Sequence, residues 1–130
     1  MSTRSFFVPL QPPTLNDLKV SPDGRGRWRY DTVKRVWARW IPPLVRPKRA
    51  SGPVRMTVTR FYGGKRGMRP YDRDNFEGGL KPVLDLLKGT YILDDRPGTL
   101  ITVYQQFPAA EKKHEPGTLF EFEDLNGVER

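Results

Sequence analysis

Cysteine is absent from the 130 residues, which removes disulfides, thiolate metal sites and a cysteine nucleophile together. Histidine occurs once, as His114, too little material for a histidine-rich metal centre or a serine–histidine pair. No run of about 18 apolar residues and no secretory pattern is present, so a cytoplasmic protein without a membrane partner is expected. Acidic residues are scarce in one half only: residues 1–69 hold 16 Lys/Arg against 3 Asp/Glu, whereas residues 70–130 hold 7 against 12. The net charge of +8 is therefore a basic surface joined to an acidic cluster, which suits a polyanionic partner whose chemistry needs divalent cations. Nucleic acid fits this better than a membrane surface, which an amphipathic basic helix would approach.

What is present fits one domain spanning 1–130, long enough for a single core and too short for two. Ser5–Val8 reads as a short strand halted by Pro9, and Thr14–Asp17 as a turn with Asn16 available as a local cap. Lys19–Arg29 reads as a Gly- and Arg-rich loop, in which Trp28 either stacks on a base or packs inward. Asp31 is a suitable N-cap for a helix to about Ile41, with Val33, Val36, Trp37, Trp40 and Ile41 forming a buried stripe and Lys34, Arg35 and Arg39 opposite. Pro42-Pro43 ends it, and Arg46, Lys48 and Arg49 extend the basic run. Val54–Phe61 alternates strictly and predicts a strand, followed by a basic loop over Tyr62–Gly67 that carries Lys65 and Arg66.

Leu80, Val83, Leu84 and Leu87 share a helical face, with Gly89 as its C-terminal glycine; Pro82 sets the start near Gly79 unless the helix kinks. Tyr91–Leu93, Thr99–Gln105 and Thr118–Phe122 predict three more strands, and Asn126–Arg130 a frayed tail. The sum is an α/β (α+β) fold: one domain with a mixed β-sheet of about five strands packed with about two helices.

Residues 69–95 carry five aspartates, one asparagine and two lysines. On an extended strand end Asp72 and Asp74 project to the same side, where two carboxylates repel unless a cation lies between them. All-oxygen ligands select Mg²⁺, with Mn²⁺ able to substitute. Asp94-Asp95 ends the Tyr91–Leu93 strand, and since neighbours on a strand face opposite ways, one of the two is expected to complete the site. Such equipment serves phosphodiester hydrolysis, with Lys81 on the flank of the apolar face as a charge-stabilising lysine. The alternative for Lys81 is an ion pair with Glu77 or Asp85; for the acids, a structural Ca²⁺ or an ordinary polar turn.

At these residues the sequence resembles the RusA family of Holliday-junction resolvases, in a phage-type form. The shared elements are the D-x-D-N of Asp72–Asn75, the K-P-x-x-D of Lys81–Asp85, the hydrophobic stretch ending in Asp94-Asp95, and the P-P-x-x-N of Pro12–Asn16. The Asn75 to Lys81 interval is longer than in the shortest members, through Phe76-Glu77-Gly78-Gly79. The resemblance implies a dimeric Mg²⁺-dependent endonuclease of bacteria and their phages that nicks four-way DNA junctions in pairs. It implies Asp72, Asp74 and Asp95 as metal-binding catalytic carboxylates and Lys81 as the catalytic lysine. Two symmetric cuts suit a two-fold homodimer. DNA arms would be held through phosphates by Arg27, Lys34, Arg35, Lys65, Arg66, Arg69 and Arg73. Two alternatives stand beside this one: a non-catalytic basic nucleic-acid-binding module with a structural cation, and a nuclease acting on forks, flaps or RNA.

Overall fold

The computed structural model, which describes residues 3–18, 25–44, 50–63 and 69–125, is organised on a four-stranded sheet. Its strands are β1 (Thr3–Val8), β2 (Val54–Tyr62), β3 (Leu100–Pro108) and β4 (Gly117–Asp124), in spatial order β1-β4-β2-β3. β4 runs antiparallel to both neighbours, whereas β3 is parallel to β2. A parallel pair requires a long crossover, and the chain between β2 and β3 supplies it with helices α3 (Arg73–Gly79) and α4 (Lys81–Leu87). Two further helices, α1 (Leu15–Leu18) and α2 (Arg25–Ala38), complete a small mixed α+β domain.

The alternation of β2 explains its seat in the sheet. Val54, Met56 and Val58 are fully buried, beside Phe6 and Val8 of β1 and Phe120 and Phe122 of β4. The Phe6 ring stacks on Phe120 at 4.9 Å between centroids. Trp37, Phe76, Leu80, Val83 and Leu87 come from the helices to close this core. Each such side chain contributes about 1.5–3 kcal/mol by leaving water.

Several expectations change. Helix α2 begins at Arg25 rather than after Asp31, because Tyr30, Val33 and Trp37 continue the apolar spacing backwards and outweigh the loop propensity of its first residues. It ends at Ala38, so Trp40 lies past the last helical turn and is 46% exposed instead of buried. The turn at Thr14–Asp17 tightens into α1, with the Asp17 carboxylate accepting from the Thr14 N–H at 3.0 Å. Tyr91–Leu93 is no strand: Ile92 makes one isolated bridge with Lys88, and the stretch is a turn whose Tyr91 and Ile92 fill the core. Among the described residues the sheet therefore has four strands rather than about five, accompanied by four helices rather than about two. Gly89 has the left-handed backbone expected of it, with φ of 82°. The tail 126–130 lies outside the described residues.

The expected single helix after Gly79 begins earlier and is kinked. α3 starts at Arg73, Leu80 ends it and caps α4, and Pro82 falls in the first turn of α4, where a missing N–H costs little. Gly78 and Gly79 are needed by the neighbouring segment: a Cβ on Gly79 would overlap the Pro13 carbonyl, and one on Gly78 would come within 2.7 Å of Leu15.

Candidate functional site

The Pro13–Leu15 segment seated against Gly78-Gly79 brings two distant motifs together. The Asn16 N–H donates to Asn75 Oδ1 at 3.3 Å, and the Tyr71 hydroxyl donates to the Pro12 carbonyl at 2.7 Å. The P-P-x-x-N and D-x-D-N stretches, some sixty residues apart, thus form one surface. Such a contact is invisible to local pattern.

Asp72 is the N-cap of α3 rather than part of a strand end. Its backbone is extended, at φ −69° and ψ 163°, and its carboxylate accepts from the Asn75 N–H at 2.9 Å and from Asn75 Nδ2 at 3.0 Å. Asp74 lies in the first helical turn, where a negative charge opposes the helix dipole favourably. It makes no hydrogen bond or ion pair among the described residues, and both carboxylates are exposed. The two acids are neighbours because a helix begins between them, not because a strand sets them on one side. Arg69 and Arg73 flank them, both exposed, and Arg73 reaches Glu77 at 3.2 Å.

Lys81 opens α4 and is exposed. Neither proposed ion pair forms among the described residues, since Glu77 pairs with Arg73 and Asp85 with Lys88.

The remaining acids form a separate, internally neutralised group. Lys88 Nζ lies 3.3 Å from both Asp85 Oδ1 and Asp95 Oδ2, and its hydrogen bonds, that to Asp95 foremost, hold the ammonium pKa above its usual value. The Tyr30 hydroxyl donates to Asp85 Oδ2; burial, reinforced by Asp85, pushes the phenol pKa up. Asp94 accepts from the Asp95 N–H at 2.7 Å and pairs with Arg96 at 2.9 Å. The Asp95 N–H is the main group that holds the Asp94 pKa below the usual carboxylate value, with the Arg96 charge a lesser help.

Asp72 and Asp95 are not brought together within one chain. Tyr71 is tied to Gln106, near the end of β3, whereas the Asp94 carbonyl is tied to Thr99, at its start. The six steps along the strand from Leu100 to Gln106 span about 20 Å. Accordingly, no group of three or more acids or histidines able to hold a metal ion exists among the described residues. Asp72 and Asp74 are exposed oxygen donors of the kind Mg²⁺ takes, an ion that binds through one or two carboxylates and keeps waters or substrate phosphates for the rest.

Of the residues expected to hold DNA, Arg35 is exposed and Lys34 half-exposed on α2, and Arg27 falls in its first turn. Lys65 and Arg66 lie outside the described residues. No helix among the described residues is long and apolar enough to cross a membrane.

Local reading also passed over Arg60. It follows Val54, Met56 and Val58 on the inward side of β2 and is 1% exposed, a cation where the alternation calls for an apolar side chain. That parity was the available signal.

Compared with protein-family models and with curated proteins, the chain matches none.

Proposed function

We propose that the chain is a Mg²⁺-dependent, structure-selective DNA endonuclease that resolves four-way junctions by paired nicks. The observation that carries this reading is the contact of Asn16 with Asn75, which joins the two separated motifs beside the exposed Asp72 and Asp74. Asp72 and Asp74 would hold the ion, which when bound supplies an activated water and neutralises phosphate charge. Lys81, with no competing ion pair among the described residues, would meet charge developing on the phosphate. Arg69, Arg73 and the basic side of α2 would hold the DNA backbone without reading bases.

A homodimer fits the open edge of the sheet. Among the described residues β3 pairs with β2 alone; it runs nine residues without a charged side chain, has a proline only at its last position, and leaves Ile101 49% and Val103 37% exposed. Edge strands of this kind invite pairing unless charge, proline or a cover blocks them. The opposite edge, β1, is shorter and carries Arg4. Two β3 strands meeting antiparallel about a two-fold axis would set the start of one beside the end of the other. Asp95 of one protomer would then approach Asp72 and Asp74 of its partner, assembling across two chains what one chain keeps at opposite ends of β3.

The lack of a three-acid group among the described residues favours a second reading, a basic binding module without catalysis. Purified protein incubated with a synthetic four-way junction, with and without Mg²⁺, separates the two. Paired Mg²⁺-dependent nicks are expected; binding without cuts would favour the module. Fork, flap and linear duplex in parallel define the target.

A further inference from the structure

Arg60 is a buried cation with no carboxylate in ion-pairing range among the described residues; its neighbours are neutral acceptors and aromatic faces. Nε donates to Gln11 Oε1 at 2.6 Å, and Nη1 to Gln106 Oε1 at 2.9 Å and to the Arg69 carbonyl at 3.0 Å. The guanidinium carbon sits 3.5 Å from the centroid of the Tyr71 ring, with the Tyr62 ring at 5.3 Å. Burial lowers the Arg60 pKa, as expected for a charge removed from water. A cation in this position is costly, and an apolar residue would complete the inward row of β2 more simply. Its partners explain its presence, because each belongs to a different piece of the chain.

Gln11 follows β1, Gln106 is on β3, and Arg69 and Tyr71 lead directly into Asp72. Gln106 adds a second tie: its Oε1 also accepts from the Tyr71 N–H at 2.8 Å while its Nε2 donates to the Tyr71 carbonyl at 2.8 Å. The residue preceding Asp72 is therefore held by both backbone groups and by its ring. Only a planar guanidinium can lie flat on that ring and donate in three directions within its own plane. Asp72 in turn sets the start of α3 through Asn75 and Phe76, whose N–H groups donate to its side chain and carbonyl.

We propose that Arg60 is a positioning residue: with Gln106 it clamps Tyr71 and thereby fixes where the Asp72 and Asp74 carboxylates stand. The effect on cleavage rests on the nuclease reading, but the clamp itself does not. It acts through Tyr71, since neither Arg60 nor Gln106 approaches Asp72 directly.

The test uses the full chain with Arg60→Met, which removes all three hydrogen bonds, and Gln106→Met, a gentler change at a half-buried position that cuts the backbone tie should Arg60→Met fail to fold. Amide hydrogen exchange is followed at Asn75 and Phe76, with Phe120 of β4 as the core reference. In a folded variant the two α3 amides should exchange roughly tenfold faster relative to Phe120, as expected for losing a hydrogen bond to a charged group. With Mg²⁺ and a four-way junction, kcat should fall about 10- to 100-fold with KM unchanged, the usual scale for losing a group that orients a metal ligand. Unchanged exchange at Asn75 and Phe76 in a folded variant would overturn the clamp. Faster exchange with unchanged kcat would overturn its role in cleavage. A wild-type chain that does not cleave would refute the nuclease reading, while the exchange result would still decide the clamp.

Discussion

The acids before and after the kink at Leu80 are neutralised differently. Asp72 and Asp74, at the start of α3, are exposed, and no cation pairs with them among the described residues. Asp85 and Asp95 share Lys88, with Tyr30 on Asp85, and Asp94 has Arg96. One region is left open for a cation from outside; the other carries its own. Crowding of acids in the sequence therefore says less than the partners the fold gives them. An ion that recruits Asp95 has to compete with Lys88 for it.

That contrast can be broken from either side. Asparagine is as good an N-cap as aspartate but gives up the bond from Asn75 Nδ2, so Asp72→Asn should cost no more than about 1 kcal/mol of stability. Junction cleavage by the same variant should fall on the order of a thousandfold, the scale of several kcal/mol of lost charge stabilisation. The double variant Ile101→Lys with Val103→Lys should sediment as a monomer, melt near the wild-type temperature and lose cleavage, if β3 carries the dimer. A dimer in analytical ultracentrifugation would move the interface elsewhere.

Gly79→Ala should cost about 1–3 kcal/mol in denaturant unfolding, since the added methyl meets the Pro13 carbonyl rather than a flexible side chain. It tests whether the contact between the two motifs matters to the fold. The smallest effect belongs to the neutralised group: Tyr30→Phe removes one hydrogen bond from Asp85, about 1 kcal/mol of stability. Cleavage should stay close to wild type. A large loss of activity there would mean that Asp85 is part of the working site.

Much of the sheet was legible in the sequence because period-two alternation reports directly on a half-buried strand. β2 differs from its expected span by one residue; the expected β3 starts one residue early and stops three short, and the expected β4 starts one residue late and stops two short. The helical side was harder. The Gly- and Arg-rich start of α2 reads locally as loop, and the packing of Val33 and Trp37 with the Tyr30 bond to Asp85 anchors the helix that it opens. Tyr91–Leu93 has strand composition but serves as a buried turn, because burial rather than pairing is what its side chains satisfy. Asp72 and Asp74 stand exposed at the start of α3 and not on a strand end, so the same-side argument that their spacing suggests does not apply to them. The Asn16–Asn75 contact and the Arg60 clamp depend on tertiary arrangement, although the inward parity of Arg60 could have marked it.

The most direct measurement is cleavage of a synthetic four-way junction by Asp74→Asn beside the wild type, with Mg²⁺ present and absent. Wild type should cut only with Mg²⁺, and Asp74→Asn should bind the junction without cutting it. Full cleavage by Asp74→Asn would contradict the assignment of the open carboxylate pair as the metal site.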